Sequence, residues 1–318
     1  MMSFKQYLTD NKLSFEEDVS LSKKTWLKTG GVVSLWITPQ NIDELKFVLH
    51  YLSANSISYQ IVGHTSNIFY LDTTNPNIII NTKQVKSYYI AGTILTCNCG
   101  VPVAFLSKKM VSLGYKGFSG LVNLPGTVGA AIVNNSSCFE CSISDLIESV
   151  TVLDMETGRE RTLTFDELKY SRRSSILKRK DLNAVVLSAK LRLVMGSVEE
   201  ETRKAEEATA IRMATQEKPA YTLGSVFANL EERRSLGLKI YRRFLRLLTV
   251  LKLINKPSRT HVLLNYYRYL DLEPYVSNKN VNTFIWRPEI ENKQATFNRY
   301  CDFMQKAFVN PHLEIEVR

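Results

Sequence analysis

The sequence predicts an α+β protein. Between residues 77 and 194, short runs rich in β-branched residues are bounded by turn residues, as half-buried strands are. Helical patterns interrupt these runs without the strict alternation of a doubly wound sheet. A charged helical stretch from Val198 to about Thr215 then marks the boundary of a third region that starts near Gly224. The expected organisation is an N-terminal segment (1–22), a domain over 23–197 made of two subdomains that meet near residue 75, and a smaller α+β domain over 198–318.

The elements follow in order. Asn41 is placed to cap a helix over residues 42–52, with Asp43 and Glu44 in the first turn, where the helix dipole favours negative charge. Leu45, Val48, Leu49 and Leu52 recur at helical spacing as its buried stripe. Residues 58–62 read as a strand that runs into the polar loop Gly63-His64-Thr65-Ser66-Asn67. Further strands are expected at 78–80, 94–97, 150–153 and 185–193. A helix over 103–113 should end at Gly114, a C′ glycine. Asp154-Met155-Glu156-Thr157-Gly158 reads as a hairpin turn. Residues 236–254 form a helical pattern with Lys239, Arg242, Arg243, Arg246 and Lys252 on one face. That pattern suits a solvated basic face on a packed helix, or an interfacial helix meeting anionic lipid or a protein partner.

Composition narrows the classes. Hydrophobic residues make up 44% and charged residues 23% of 318, which argues against wholesale disorder. No apolar run approaches the ~20 residues that span a bilayer. The N-terminal text lacks an apolar signal core, and five cysteines fit a reducing compartment better than a disulfide framework, so a cytoplasmic location is expected. The net charge of +10 favours anionic partners. The Cys/His finger, basic zipper and RNP-type strand of nucleic-acid readers are missing, so no nucleic-acid partner is expected. The four histidines are scattered and the Cys97/Cys99 and Cys138/Cys141 pairs have no matching histidine arm, so no metal site is expected.

The richest stretch is 117–131, where four glycines and a proline occur in fifteen positions. Such text suits backbone that passes close to something bulky, with N–H groups free to cradle a pyrophosphate. Its run PGTVGAA, preceded by GFSGL and followed by Asn134-Asn135, resembles the flavin-binding signature of the UDP-N-acetylenolpyruvoylglucosamine reductase family. Thr25-Trp26-Leu27-Lys28-Thr29-Gly30-Gly31 resembles the family's early T-W-x-x-G-G segment, and Gly63 with Ser66-Asn67 its G-G-G-S-N loop. Residues 173–178 resemble R-D-S-I-F-K, Gly224-Ser225-Val226-Phe227 resembles A-G-S-V-F, and residues 313–318 resemble L-E-P-E-V-R.

The resemblance implies a PCMH-type FAD-binding fold, shared with vanillyl-alcohol-type oxidases, followed by a smaller substrate domain. It implies FAD held by Gly63, His64, Thr65, Ser66, Asn67, Pro125, Gly126, Thr127, Val128, Gly129 and Ala130, with NADPH as electron donor. It also implies hydride transfer from flavin to an enolpyruvyl UDP-sugar. Arg173 then stabilises the substrate carboxylate as it gains charge, Ser225 donates the proton, and Glu316 is the second polar group at the intermediate. The chain departs from the family text at several points. His64 and Thr65 replace loop glycines, Ala130 replaces a glycine, Arg172 a tyrosine, and Glu217 and Tyr221 prolines. The glycine-rich text of the third domain is replaced, leaving Ser277-Asn278-Lys279 and Asn282-Thr283-Phe284 as a trace of S-x-K-x-x-N-F. Two alternatives follow: a non-catalytic FAD- or nucleotide-sugar-binding protein, and a flavin oxidase tethered through His64.

Overall fold

The computed structural model describes residues 4–217, 222–228, 230–286 and 292–318. Tyr221, one of the departures above, lies outside them. The chain divides into two compact units: Met1–Thr25, Gly30–Ser66 and Thr73–Ala210 make the first, and Trp26–Thr29, Asn67–Asp72 and Ile211–Arg318 the second. The division between Ala210 and Ile211 falls within the charged helix Val198–Thr215, whose first residue is the expected boundary, and two short upstream segments group with the C-terminal unit.

The first unit holds two larger sheets beside the short antiparallel pair Ser137–Cys138 and Cys141–Ser142. One orders the strands Phe15–Ser20, Val32–Ile37, Ile78–Asn81 and Gln60–Val62, the first pair antiparallel and the others parallel. The helix Ile42–Ala54 connects two of the parallel strands and buries Leu45, Val48, Leu49 and Leu52, while Asn41 Oδ1 accepts the Glu44 N–H at 2.9 Å. Every residue of Ile78–Asn81 is buried, which is why a run of three isoleucines suits a central strand. The second sheet is antiparallel, ordered Glu160–Thr164, Ile147–Asp154, Ala184–Arg192, Ile94–Asn98 and Tyr88–Ala91. The helix Val103–Ser112 ends as its sequence requires, with Gly114 at φ 82° in the left-handed region. Cys97 and Cys99 are core residues whose thiols burial pushes up to about 12, so they pack as apolar groups.

The second unit is built on aromatic packing. Phe69, Phe284, Trp286, Phe297 and Tyr300 form one cluster, with Phe69 and Trp286 ring centroids 4.8 Å apart and Phe284 and Tyr300 5.2 Å apart. Leu27, from the early T-W segment, is buried in the same core. Three two-stranded pairings brace it: Phe227–Ala228 with His312–Leu313, Glu231–Glu232 with Phe308–Val309, and Glu316–Val317 in parallel with Ile68–Phe69.

The basic helix differs from expectation. It runs Leu236–Val250, shorter than 236–254, and Lys252 lies beyond it at φ 57°, off the basic face. Leu238 is its one buried residue, so most of its apolar side chains are not packed inward. Among the described residues no helix is long and apolar enough to cross a membrane.

Candidate functional site

In the first unit two loops clasp each other. The strand Gln60–Val62 ends at Gly63, whose carbonyl accepts the Asn81 Nδ2 at 3.0 Å. Ser66 Oγ reaches the turn before the helix Val128–Asn134, donating to Pro125 O at 3.1 Å. Gly63 faces Thr127 so closely that a Cβ there would lie 2.3 Å from Thr127 Oγ1 and 3.2 Å from its Cβ. Only glycine fits that approach. Thr127 Oγ1 is buried and makes no hydrogen bond among the described residues, an unusual state for a hydroxyl that a ligand's acceptor would relieve.

The glycine-rich run does more packing than the sequence suggested. Of the N–H groups expected to point outward, that of Val128 donates to Val101 O at 2.9 Å and that of Gly129 to Cys99 O at 2.8 Å. A Cβ on Gly129 would lie 2.9 Å from that of Cys99. Its smallness therefore brings the helix against the strand end. Donors for a pyrophosphate must come from the rest of the clasp.

The substituted loop positions have a physical account. Thr65 adopts φ 55°, the left-handed region a glycine enters freely, and its Oγ1 donates to His64 O at 2.7 Å. Burial, and secondarily the charge on Lys83, push the His64 imidazole down to about 4, leaving it neutral at pH 7. Because the unfolded imidazole titrates near 6.5, proton binding favours the unfolded chain below that pH. Stability is therefore lost as pH falls from about 6.5 towards about 4. Discounted for the ring's partial exposure, that loss is about 1–2 kcal/mol. In His64→Asn the fall in melting temperature between pH 7 and pH 5 should be shallower than in the parent chain; parallel curves would refute the assignment.

Arg173 lies on a turn tethered to the end of the helix that follows the clasp. Ser171 and Ser174 form an isolated bridge that turns the chain, with Arg173 at φ 56°. Asn135 Nδ2 donates to Ser171 O at 2.9 Å and Ser175 Oγ to Val133 O at 2.7 Å, so both sides of the turn hang from the end of Val128–Asn134. Arg173 itself is half-buried and Arg172 is exposed.

Ser225 and Glu316 belong to the second unit. Ser225 is half-buried and follows Gly224, whose N–H donates to Thr222 Oγ1 at 3.0 Å. Trp26 Nε1 donates to Thr222 O at 3.1 Å. Asn282 grips the next residues: its backbone carbonyl accepts the Val226 N–H, and its side chain exchanges two bonds with the Phe227 backbone at 2.9 and 2.7 Å. On the other side Val226 O accepts the Glu314 N–H at 2.8 Å, and two residues on the Glu316 N–H donates to Asn67 O at 2.9 Å. Ser225 and Glu316 thus border one short C-terminal stretch, and Asn67 of the polar loop lies beside it.

The sequence reading missed the partner of Glu316. Arg318 forks onto one carboxylate oxygen, with Nε at 3.1 Å and Nη2 at 2.5 Å, and its Nη1 donates to Tyr70 Oη at 3.4 Å. Their i, i+2 spacing on an extended segment put both on one face, and that signal was available. The trace of S-x-K-x-x-N-F is structural: Ser277 Oγ bonds Glu217 at 2.6 Å and Lys279 Nζ donates to Met213 O, at the end of the charged helix.

Residues 33–164 match a family model described as an FAD-binding domain. The chain is 31% identical over 240 residues to the UDP-N-acetylenolpyruvoylglucosamine reductase of Prochlorococcus marinus, which covers 73% of this chain and 81% of that protein. It is 30% identical to the enzyme of the same name from Caldicellulosiruptor bescii, over 71% of this chain and 72% of that one. Among solved structures, the UDP-N-acetylenolpyruvylglucosamine reductase of Thermus caldophilus superposes with a TM-score of 0.69 at 22% identity, covering 96% of this chain and 99% of that one.

Proposed function

The chain belongs to the UDP-N-acetylenolpyruvoylglucosamine reductase family, and from that premise we propose that it is an FAD-dependent reductase of an enolpyruvyl UDP-sugar, with Arg173, Ser225 and Glu316 as its catalytic groups. The observation that carries the flavin part is the clasp between Gly63 and Thr127, where only glycine fits and a buried hydroxyl has no partner among the described residues. Gly63, His64, Thr65, Ser66 and Asn67, with Pro125, Gly126, Thr127, Val128, Gly129 and Ala130, would hold FAD.

Held there, FAD would supply the enolpyruvyl group with hydride drawn from NADPH. The rest falls to side chains. Arg173 is always charged, and its planar fork matches a carboxylate whose negative charge grows as the neighbouring carbon becomes carbanionic. Ser225 is a weak acid, yet its hydroxyl can give a proton to so basic a carbon. Glu316 is pinned by Arg318, which fixes where its free oxygen points. Nothing in this chemistry uses the helix Leu236–Val250. The five cysteines, all free thiols, support a cytoplasmic setting.

The experiment is anaerobic and uses the yellow protein. NADPH should bleach the flavin absorbance, and UDP-N-acetylglucosamine enolpyruvate should restore it within turnovers. Reduced flavin that persists across a panel of enolpyruvyl UDP-sugars would overturn the catalytic reading in favour of a binding protein.

A further inference from the structure

The helix Leu236–Val250 shows three sectors. One faces inward: Leu238 is 2% exposed, Tyr241 Oη accepts Asn265 Nδ2 at 2.8 Å, and Arg242 is paired with Glu232 at 2.8 Å. The second is apolar and turned outward. Leu236, Ile240, Phe244, Leu247 and Leu251 recur at i, i+4, i+8, i+11 and i+15 and stay 53–75% exposed. The third is the row Lys239, Arg243 and Arg246, which makes no ion pair among the described residues. A soluble protein rarely leaves five large apolar side chains in line beside three unpaired cations.

Charge is concentrated here as well. Between Glu232 and Asp271 the chain has ten Lys and Arg and no Asp or Glu. The remaining 31 basic residues balance the 31 acidic ones, so this stretch accounts for the whole net charge of +10. Whatever covers the stripe must accept apolar side chains and bring negative charge to both their level and their flank.

We propose that this helix docks the protein on an anionic lipid surface, its apolar row at the acyl boundary and Lys239, Arg243 and Arg246 among the headgroups. The stripe is an exposed row on a single helix, flanked by cations that make no ion pair among the described residues, and a fluid acceptor with anionic headgroups over an apolar interior matches both. An antiparallel second copy fits poorly, because a two-fold contact through the apolar row would set the cationic rows of both copies against each other, and a parallel one would leave both rows without a negative partner. A nucleic acid would meet the cations and leave the apolar row in water. The inference stands on this helix alone and does not require the redox reading.

The test is co-sedimentation of the full-length holoprotein with vesicles of phosphatidylcholine, and of phosphatidylcholine mixed with phosphatidylglycerol. Binding is expected to the mixed vesicles only. The triple change Lys239→Gln, Arg243→Gln and Arg246→Gln should lower the partition coefficient roughly 100-fold, from the usual contribution of each cation near an anionic surface. Phe244→Ser with Leu247→Ser should abolish binding to mixed vesicles at raised salt. All these residues are exposed, so unchanged circular dichroism and unchanged flavin reduction by NADPH are expected in every variant. Three outcomes would overturn the proposal. They are failure to bind mixed vesicles, equal binding by the neutralised variant, and a dimer in solution that Phe244→Ser with Leu247→Ser converts to monomer. The last would assign the stripe to a second copy.

Discussion

Ser225→Ala should leave the protein yellow and its flavin fully reducible by NADPH, while reoxidation by the enolpyruvyl substrate slows by about 10²–10⁴-fold, the usual worth of a positioned proton donor. The split between the two half-reactions is the informative part. Gly224 and Val226 on either side are held by Thr222, Asn282 and Glu314 through backbone groups that alanine leaves intact, so the loop should keep its shape and the loss should fall on proton donation. Stopped-flow absorbance of the two half-reactions checks it. If reduction and reoxidation fell together, or neither fell, Ser225 would not be the donor.

The second large effect is on cofactor retention. Gly63→Ala puts a carbon 2.3 Å from Thr127 Oγ1 and 3.0 Å from its Cγ2, and the nearby Thr127 Cβ, at 3.2 Å, leaves the side chain little freedom to retreat. Overpacking of this kind costs about 1–3 kcal/mol, which at the clasp translates into FAD affinity weakened by roughly 5- to 150-fold. Purified Gly63→Ala should be pale. Adding Thr127→Ala removes both Oγ1 and Cγ2, so the double variant should regain part of the colour. The bound-flavin ratio and the melting temperature of the single and double variants form a cycle that separates the clash from any loss of the Thr127 hydroxyl. A fully yellow Gly63→Ala would mean that the clasp does not receive the cofactor.

Local signals in the sequence were enough for much of the fold. The helix Ile42–Ala54 was legible because its cap, its acidic first turn and its buried stripe all lie within fourteen residues. The charged helix Val198–Thr215 and the hairpin at Asp154–Gly158 were legible for the same reason: their determinants are neighbours in the chain. The second unit was not. Leu27 packs in the same core as Phe69 and Trp286, and no periodicity links residues so far apart. The basic helix shows a different limit. Leu238 and Leu245 on one side, and Leu236, Ile240 and Phe244 on another, both recur at helical spacing, so the pattern gave the helix without saying which side is covered. At the site, residue types pointed to Arg173, Ser225 and Glu316 through resemblance. The ion pair of Glu316 with Arg318 and the grip of Asn282 on Phe227 are tertiary facts, and only the first left a mark in the spacing.

One arrangement has a bearing on how the protein is made. The strand Ile68–Phe69 pairs with Glu316–Val317, and Tyr70 meets Arg318 across 248 positions of sequence. During synthesis, Trp26, Leu27 and Phe69 emerge early and have no aromatic cluster to enter until Phe284, Trp286, Phe297 and Tyr300 have been made. The nascent chain therefore holds sticky rings in waiting while everything from Phe69 to Tyr300 is made.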